Sequence, residues 1–243
     1  MASGDRLGRA GEQGIVFTPS LRDAAIGVGL AFVAGFVDAA AFIALTGLFT
    51  AHVTGNFVLI GAELVSTSTG VLAKLLALPT FILAVALTRL IALALERRGT
   101  SPLRPLLALE AAVLIAFANF GAALSPLGSP DGARAIGIGM LGVAAMGIQN
   151  GIGRLVIGHL AATTVMTVNV TQAVIDITDH LCGTKLGAQA GARLRRTLSA
   201  VLAFAAGALA GAFGVAALSF WCVLVPALVL IGLLAVPDPT PPR

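Results

Sequence analysis

Six stretches of this chain are apolar for long enough to cross a bilayer, and nothing else in the sequence constrains its fold as strongly. They lie near Ala24–Leu45, Leu72–Leu95, Pro105–Leu124, Ala135–Ile157, Leu198–Ala217 and Phe220–Val236. A hydrocarbon core of about 30 Å takes about 20 helical residues. The chain therefore reads as an all-α integral membrane protein of about six transmembrane helices. Composition agrees: 58% of residues are hydrophobic and 11% charged, with a mean hydropathy of +0.99, against roughly 25% charged in a soluble domain. Two shorter, more polar helical segments, Thr54–Ser66 and Thr167–Leu181, are left over. The first apolar run is too long for a signal-peptide core and follows an Arg-bearing, Gly-rich leader, so it is expected to be an uncleaved first span. Residues 1–22 and the Pro-rich tail 237–243 are expected to be loose.

Within this frame one polar pattern is written twice. Gly35, Asp38, Thr54, Asn56 and Glu63 recur as Gly147, Asn150, Thr167, Asn169 and Asp176, in a register that slips by a single residue. Self-similarity of this kind marks an internal duplication, with a first membrane repeat over 23–130 and a second over 131–236. Polar side chains inside apolar sequence are costly in lipid unless they meet one another or line a cavity, as at the central sites of many transporters.

The basic residues flank the apolar runs, and positive-inside placement explains them better than nucleic-acid binding. With six crossings and the two short segments entering and leaving on one side, the cytoplasm holds Arg6, Arg9, Arg22, Arg97, Arg98, Arg104, Arg154, Lys185, Arg193, Arg195, Arg196 and Arg243. Only Lys74 and Arg134 lie outside. If all eight segments crossed, Arg97, Arg98, Arg104 and Arg154 would move outside and Lys74 and Arg134 inside, a weaker bias. Six crossings place both termini in the cytoplasm. Three crossings per copy is an odd number, so the two copies would face opposite ways, as an inverted repeat.

The motifs G-F-V-D (Gly35–Asp38), H-V-T-G-N (His52–Asn56), A-M-G-I-Q-N (Ala145–Asn150) and T-T-x-x-T (Thr163–Thr167) resemble the YoaK family, also called DUF1275. The resemblance runs from about Ala24 to Val236. It implies a multi-pass protein of the bacterial inner membrane with about six helices, and it names no substrate. The second copy departs from the family by reading T-V-N (Thr167–Asn169) where T-G is more usual.

The candidate binding residues are Asp38, Thr54, Gly55, Asn56 and Glu63 in the first copy, and Gln149, Asn150, Thr167, Asn169 and Asp176 in the second. Thr and Asn cap helices well, and the helix after each motif starts with unpaired N–H groups and a positive dipole end. Two such ends meeting near a pseudo-two-fold axis would form an anion-friendly pocket. The plainer reading is that Thr54 and Asn56 cap a buried helix. Asp38 falls about two thirds of the way along the first run, where a carboxylate costs near 3 kcal/mol on insertion scales. Burial can keep it protonated, it can carry a proton or cation, or it can accept backbone N–H bonds as a cap. Glu63 and Asp176 follow their Asn partners by seven residues, on the same helix face. They line the same path or reach headgroup depth. Arg89 and Glu110, on either side of the short loop Glu96–Arg104, are expected to pair as a structural ion pair.

Other chemistry is sparse. Cys182 and Cys222 have no C-x-x-C spacing, and His52, His159 and His180 have no ligand spacing, so neither a metal nor a disulfide framework is expected. No hydrolase, Walker or dinucleotide motif is present, no cofactor is expected, and the chain does not read as an enzyme. An intramembrane protease would need a G-x-G-D signature that is missing. Gly207 and Gly211 have the spacing of a helix-packing face, inside the protein or in a homodimer. Two function classes remain. One is a small secondary transporter or channel for an unidentified solute or ion; the other is a non-transporting membrane scaffold or partner subunit.

Overall fold

A computed structural model describes residues 21–66, 69–184 and 187–236. The expected loose leader, as far as Ser20, and the tail 237–243 lie outside the described residues; Leu21 and Arg22 already belong to the first helix. The described residues form eight α-helices, α1 (Leu21–Ala44), α2 (Gly55–Ser66), α3 (Val71–Arg97), α4 (Leu103–Leu124), α5 (Ala133–Leu155), α6 (Met166–Leu181), α7 (Ala188–Leu218) and α8 (Leu224–Leu234), with a 3-10 segment, Ser219–Val223, between the last two. Five helical stretches are long and apolar enough to cross a membrane: α1, α3, α4, α5 and the 47-residue stretch Ala188–Leu234.

The fifth stretch is not one straight rod. At 1.5 Å per residue it would measure about 70 Å, more than twice a bilayer core of about 30 Å. Ser219 breaks it with φ +50° and ψ −142°, and the chain turns back so that Gly214 packs against Cys222. The 3-10 segment and α8 then run antiparallel to α4, with Phe220 over Gly121 at one end and the Arg104 guanidinium donating to the Val236 carbonyl at the other, 3.1 Å. Helix α7 begins ten residues earlier than its apolar run, because the polar sequence from Ala188 to Thr197 continues the helix outward and packs against α6.

Glycine decides which helices touch. Gly35 of α1 and Gly207 and Gly211 of α7 lie so near the opposite backbone that a methyl group at any of them would overlap a carbonyl, of Phe204, Phe32 and Phe36 respectively. Small residues let backbones approach where no hydrophobic drive exists between helices in lipid. The Gly207–Gly211 face is therefore spent on α1, inside the protein. Its order along both helices, 32 with 207 and 36 with 211, makes α1 and α7 parallel. The same arrangement recurs between α3 and α5: Gly147 sits on Ala84 and Gly151 on Thr88, and the Thr80 hydroxyl lies 3.0 Å from the Met140 sulfur. Helices α1 and α5 are antiparallel, since Gly139 faces Leu45 and Leu48 while Gln149 reaches Leu30. Helix α2 packs on α3, and α6 on α7.

Between α1 and α2, and again between α5 and α6, the chain folds back alongside the helix it has just left. Asp38 lies six residues before the end of α1 yet holds Thr50 and Ala51, so the first turn re-enters by about 9 Å. Asn150, five residues before the end of α5, holds Thr164.

Candidate functional site

The first turn is built around Asp38, which is 4% exposed. One carboxylate oxygen accepts the Thr50 and Ala51 N–H groups, each at 2.7 Å, and the Thr50 hydroxyl at 3.2 Å. The other lies 2.6 Å from Nδ1 of His52. Asn56, 1% exposed, clasps Phe49 from both sides, accepting its N–H at 3.0 Å and donating to its carbonyl at 2.9 Å. The opening N–H groups of α2 are occupied too: Gly55, Asn56 and Phe57 donate to the carbonyls of His52, Val53 and Thr54. Buried polar groups must find partners, and here the chain supplies its own. The expected anion-binding helix end is therefore closed, and the anion held by the turn's backbone is Asp38 itself.

The second turn uses amides. Asn150 donates to the Met146 carbonyl at 2.9 Å and accepts the Thr164 hydroxyl at 2.8 Å. Asn169 donates to the Ala162 carbonyl at 2.6 Å. Gln149 donates to the Leu30 carbonyl at 2.8 Å and lies 3.3 Å from the Thr163 hydroxyl. The two turns do not meet, contrary to the expectation of a shared pocket on an axis. Along α1 the first sits at Asp38 and the second reaches Leu30 through Gln149, eight residues or about 12 Å apart. Thr54 and Thr167 are exposed at the turn surfaces rather than capping, with Gly55 half-buried against the Phe49 ring.

The paired carboxylates found partners that sequence reading missed. Glu63 forms an ion pair at 2.6 Å with Lys74, which is 2% exposed and has folded inward beside Gly70. Asp176, equally buried, is held by the Arg193 guanidinium, with Nε at 3.1 Å, and by the Gln172 amide at 2.9 Å. The Arg193 hydrogen bond keeps the Asp176 carboxyl below its ordinary range, against burial, which works the other way. In both cases the base stands in the first two turns of the next helix, the one signal in the sequence that could have found it. The expected pair of Arg89 with Glu110 does not form. Arg89 turns to Glu96 of its own helix, 3.6 Å away. Glu110 is completely buried, and neither oxygen has a hydrogen-bond partner among the described residues. The reason is packing: α3 lies on α5, whereas α4 lies on α5 and α8, so the neighbours in sequence share no packed face.

A cavity of about 590 Å³ opens beside the first turn, lined by Gly35, Asp38, Ala39, Phe42, Ile43, Phe49, His52, Thr54, Gly55, Phe204 and Ala208. Its walls are apolar and its floor is the Asp38–His52 pair. The His52 ring stands edge-on to Phe49 and Phe204, with centroids 6.1 and 5.7 Å away. With Nδ1 committed to Asp38, its Nε2 is left without a protein partner among the described residues. A niche of about 290 Å³ at the second turn is lined instead by His159, Asn169, Gln172, Arg193 and Arg196.

A helical bundle with apolar outer faces and polar turns folded back into it defines the class: an integral membrane protein. The chain belongs to the DUF1275 family, described as a protein of unknown function, which it matches over residues 26–236. No curated protein and no solved structure matches it.

Proposed function

We propose that the protein moves a small solute or ion across the membrane through the cavity above Asp38 and His52. The observation that carries this is the cavity itself: a largely apolar, open-mouthed lining brings Asp38 and His52 together beside the first turn, and Nε2 of His52 has no protein partner among the described residues. Pockets of this composition are the usual binding sites for small molecules.

Six crossings and an inverted duplication belong to the same proposal. Supporting them are the reversal at Ser219, the antiparallel run of α1 and α5, and the exchange by which α1 packs on α7 as α5 packs on α3. The charged residues support an orientation: among the described residues Arg22, Arg97, Arg98, Arg104, Arg154, Arg193, Arg195 and Arg196 lie at or near the end of the bundle where α1, α4 and α7 start, and Lys74 and Arg134 at the other. Positive-inside placement puts the first end in the cytoplasm. Single cysteines at Thr69 and Gly187 test it in intact cells with an impermeant thiol reagent. Labelling at Thr69 alone is expected, and labelling at Gly187 would overturn the arrangement.

The functional test is flux in sealed vesicles against a panel of small anions, cations and metabolites. Activity that His52→Ala abolishes in a folded protein is the expected result. A second reading, a membrane scaffold, is favoured by the internal bonding of Asp38, Asn56, Asn150 and Asn169. The absence of flux for every solute, with His52→Ala indistinguishable from the parent, would favour it.

A further inference from the structure

At one level of the bundle three buried acceptor oxygens have no donor among the described residues. Two are Oε1 and Oε2 of Glu110; the third is Oε1 of Gln149, whose amide nitrogen is already used on Leu30 and Thr163. Register brings them together. The Phe117 ring of α4 lies against Gly142 of α5, 3.5 Å from where a side chain there would begin. These helices are successive and antiparallel, and seven residues are two turns on the same face. Glu110 precedes Phe117 by seven, and Gln149 follows Gly142 by seven. Both are completely buried.

An ionised carboxylate at such a place would be uncompensated, which costs several kcal/mol. Among the described residues no cation pairs with it. On α5 the charged residues are Arg134 and Arg154, both exposed at the helix ends; the 3-10 segment offers only Cys222, turned to Gly214; α8 has no titratable group; and on α4 itself Arg104 is exposed and bound to Val236. One proton changes the arithmetic of the site. It turns one of the three acceptors into an O–H donor, and the unpaired Gln149 Oε1, which the register sets at the same level, is available to accept it.

We propose that Glu110 is a proton-binding site, neutral as packed here, with Gln149 as the acceptor of its O–H bond. The carboxyl lines neither cavity described above and is completely buried, so its proton exchanges slowly with water. Buried carboxyls inside membrane helices mark proton paths. That this proton drives solute movement rests on the transport reading above; the site itself does not.

The test uses the full chain in lipid nanodiscs, with infrared spectroscopy at neutral pH and glutamate carboxyls labelled with ¹³C. A carboxylic C=O band that shifts with the label, moves to lower frequency in D₂O and vanishes in Glu110→Gln is expected. Gln149→Leu removes the acceptor and should move the band to higher frequency, which keeps the proposal testable if Glu110→Gln does not fold. An absent band, a band retained in Glu110→Gln, one that never exchanges with D₂O, or one unmoved in Gln149→Leu would each overturn it. Vesicles carrying an internal pH dye then separate the two readings. Proton movement that accompanies solute in the parent and is lost in Glu110→Gln joins them, whereas an exchanging Glu110 band without flux of any solute removes the transport reading and upholds the proton site.

Discussion

The two re-entrant turns do the same mechanical task with different chemistry. In each, an Asn seven residues on clasps the backbone of the turn: Asn56 on Phe49, Asn169 on Ala162. In each, a residue inside the preceding helix holds a partner fourteen residues later: Asp38 holds His52, and Asn150 holds Thr164. The first turn presents two N–H groups, a hydroxyl and an imidazole to one side chain, and only a carboxylate has enough lone pairs to accept them all. The second presents a single hydroxyl, which an amide oxygen accepts while its nitrogen returns to the helix. The charge at Asp38 is thereby explained by donor count and gives no sign of a proton carrier.

The largest expected effect comes from deleting these anchors. Asp38→Ala leaves four donors without acceptors, and each buried orphan costs about 1–3 kcal/mol. We expect no folded protein, whereas Asn150→Ala loses only the Thr164 hydroxyl bond and its own bond to the Met146 carbonyl and costs about 1–2 kcal/mol. Yield and thermal melting in detergent by size-exclusion chromatography measure both; equal losses would break the comparison. Next come the ion pairs. Lys74→Met strands Glu63 beside a buried site, and breaking a buried pair costs about 3–5 kcal/mol. Arg193 is half exposed, with its side chain at 48%, so Arg193→Met is expected to be milder and to depend on pH. Its partner's folded pKa is depressed, so the stabilisation is present above the ordinary carboxylate range and fades as pH falls through the lowered value. Melting from pH 7 to 3 should therefore fall less steeply in Arg193→Met than in the parent.

What the sequence revealed, and what it hid, follows the same division. The apolar helices and the short polar segments were legible because lipid imposes length and polarity on every span. The donors to Asp38 were not, because two of them are backbone N–H groups that no residue letter records. Lys74 and Arg193 are 11 and 17 residues from their acids, a separation that only the helix hairpins close. The misassigned Arg89–Glu110 pair assumed that helices joined by a short loop must pack together. The glycines at 35, 147, 207 and 211 instead bind α1 to α7 and α3 to α5, and nothing in their spacing names the partner.

A finer comparison lies in the clasps. Asn56 makes two bonds to Phe49, while Asn169 makes one to Ala162 and a long contact to the Met166 sulfur at 3.6 Å. Asn56→Ala should thus destabilise by about 2 kcal/mol and Asn169→Ala by about 1 kcal/mol. Chemical-denaturant midpoints for the pair in one detergent would show the order, and the reverse order would mean that lipid-facing exposure outweighs bond count.

The smallest expected effect separates anchor from carrier. Asp38→Asn keeps an oxygen on the Thr50 and Ala51 N–H groups and turns an amide toward His52, so shape and most hydrogen bonds survive. The lost charge weakens the bonds it assisted, by about 1 kcal/mol in all. If Asp38 serves only to hold the turn, flux in the Asn variant should keep the parent's dependence on pH, and Glu110→Gln should remove that dependence. The contrast is informative because both substitutions replace a carboxyl by an isosteric amide in the same bundle, one where every oxygen has a hydrogen-bond partner and one where neither has any among the described residues. A flat pH profile in Asp38→Asn with an unchanged profile in Glu110→Gln would reverse the assignment and return the proton to the first turn.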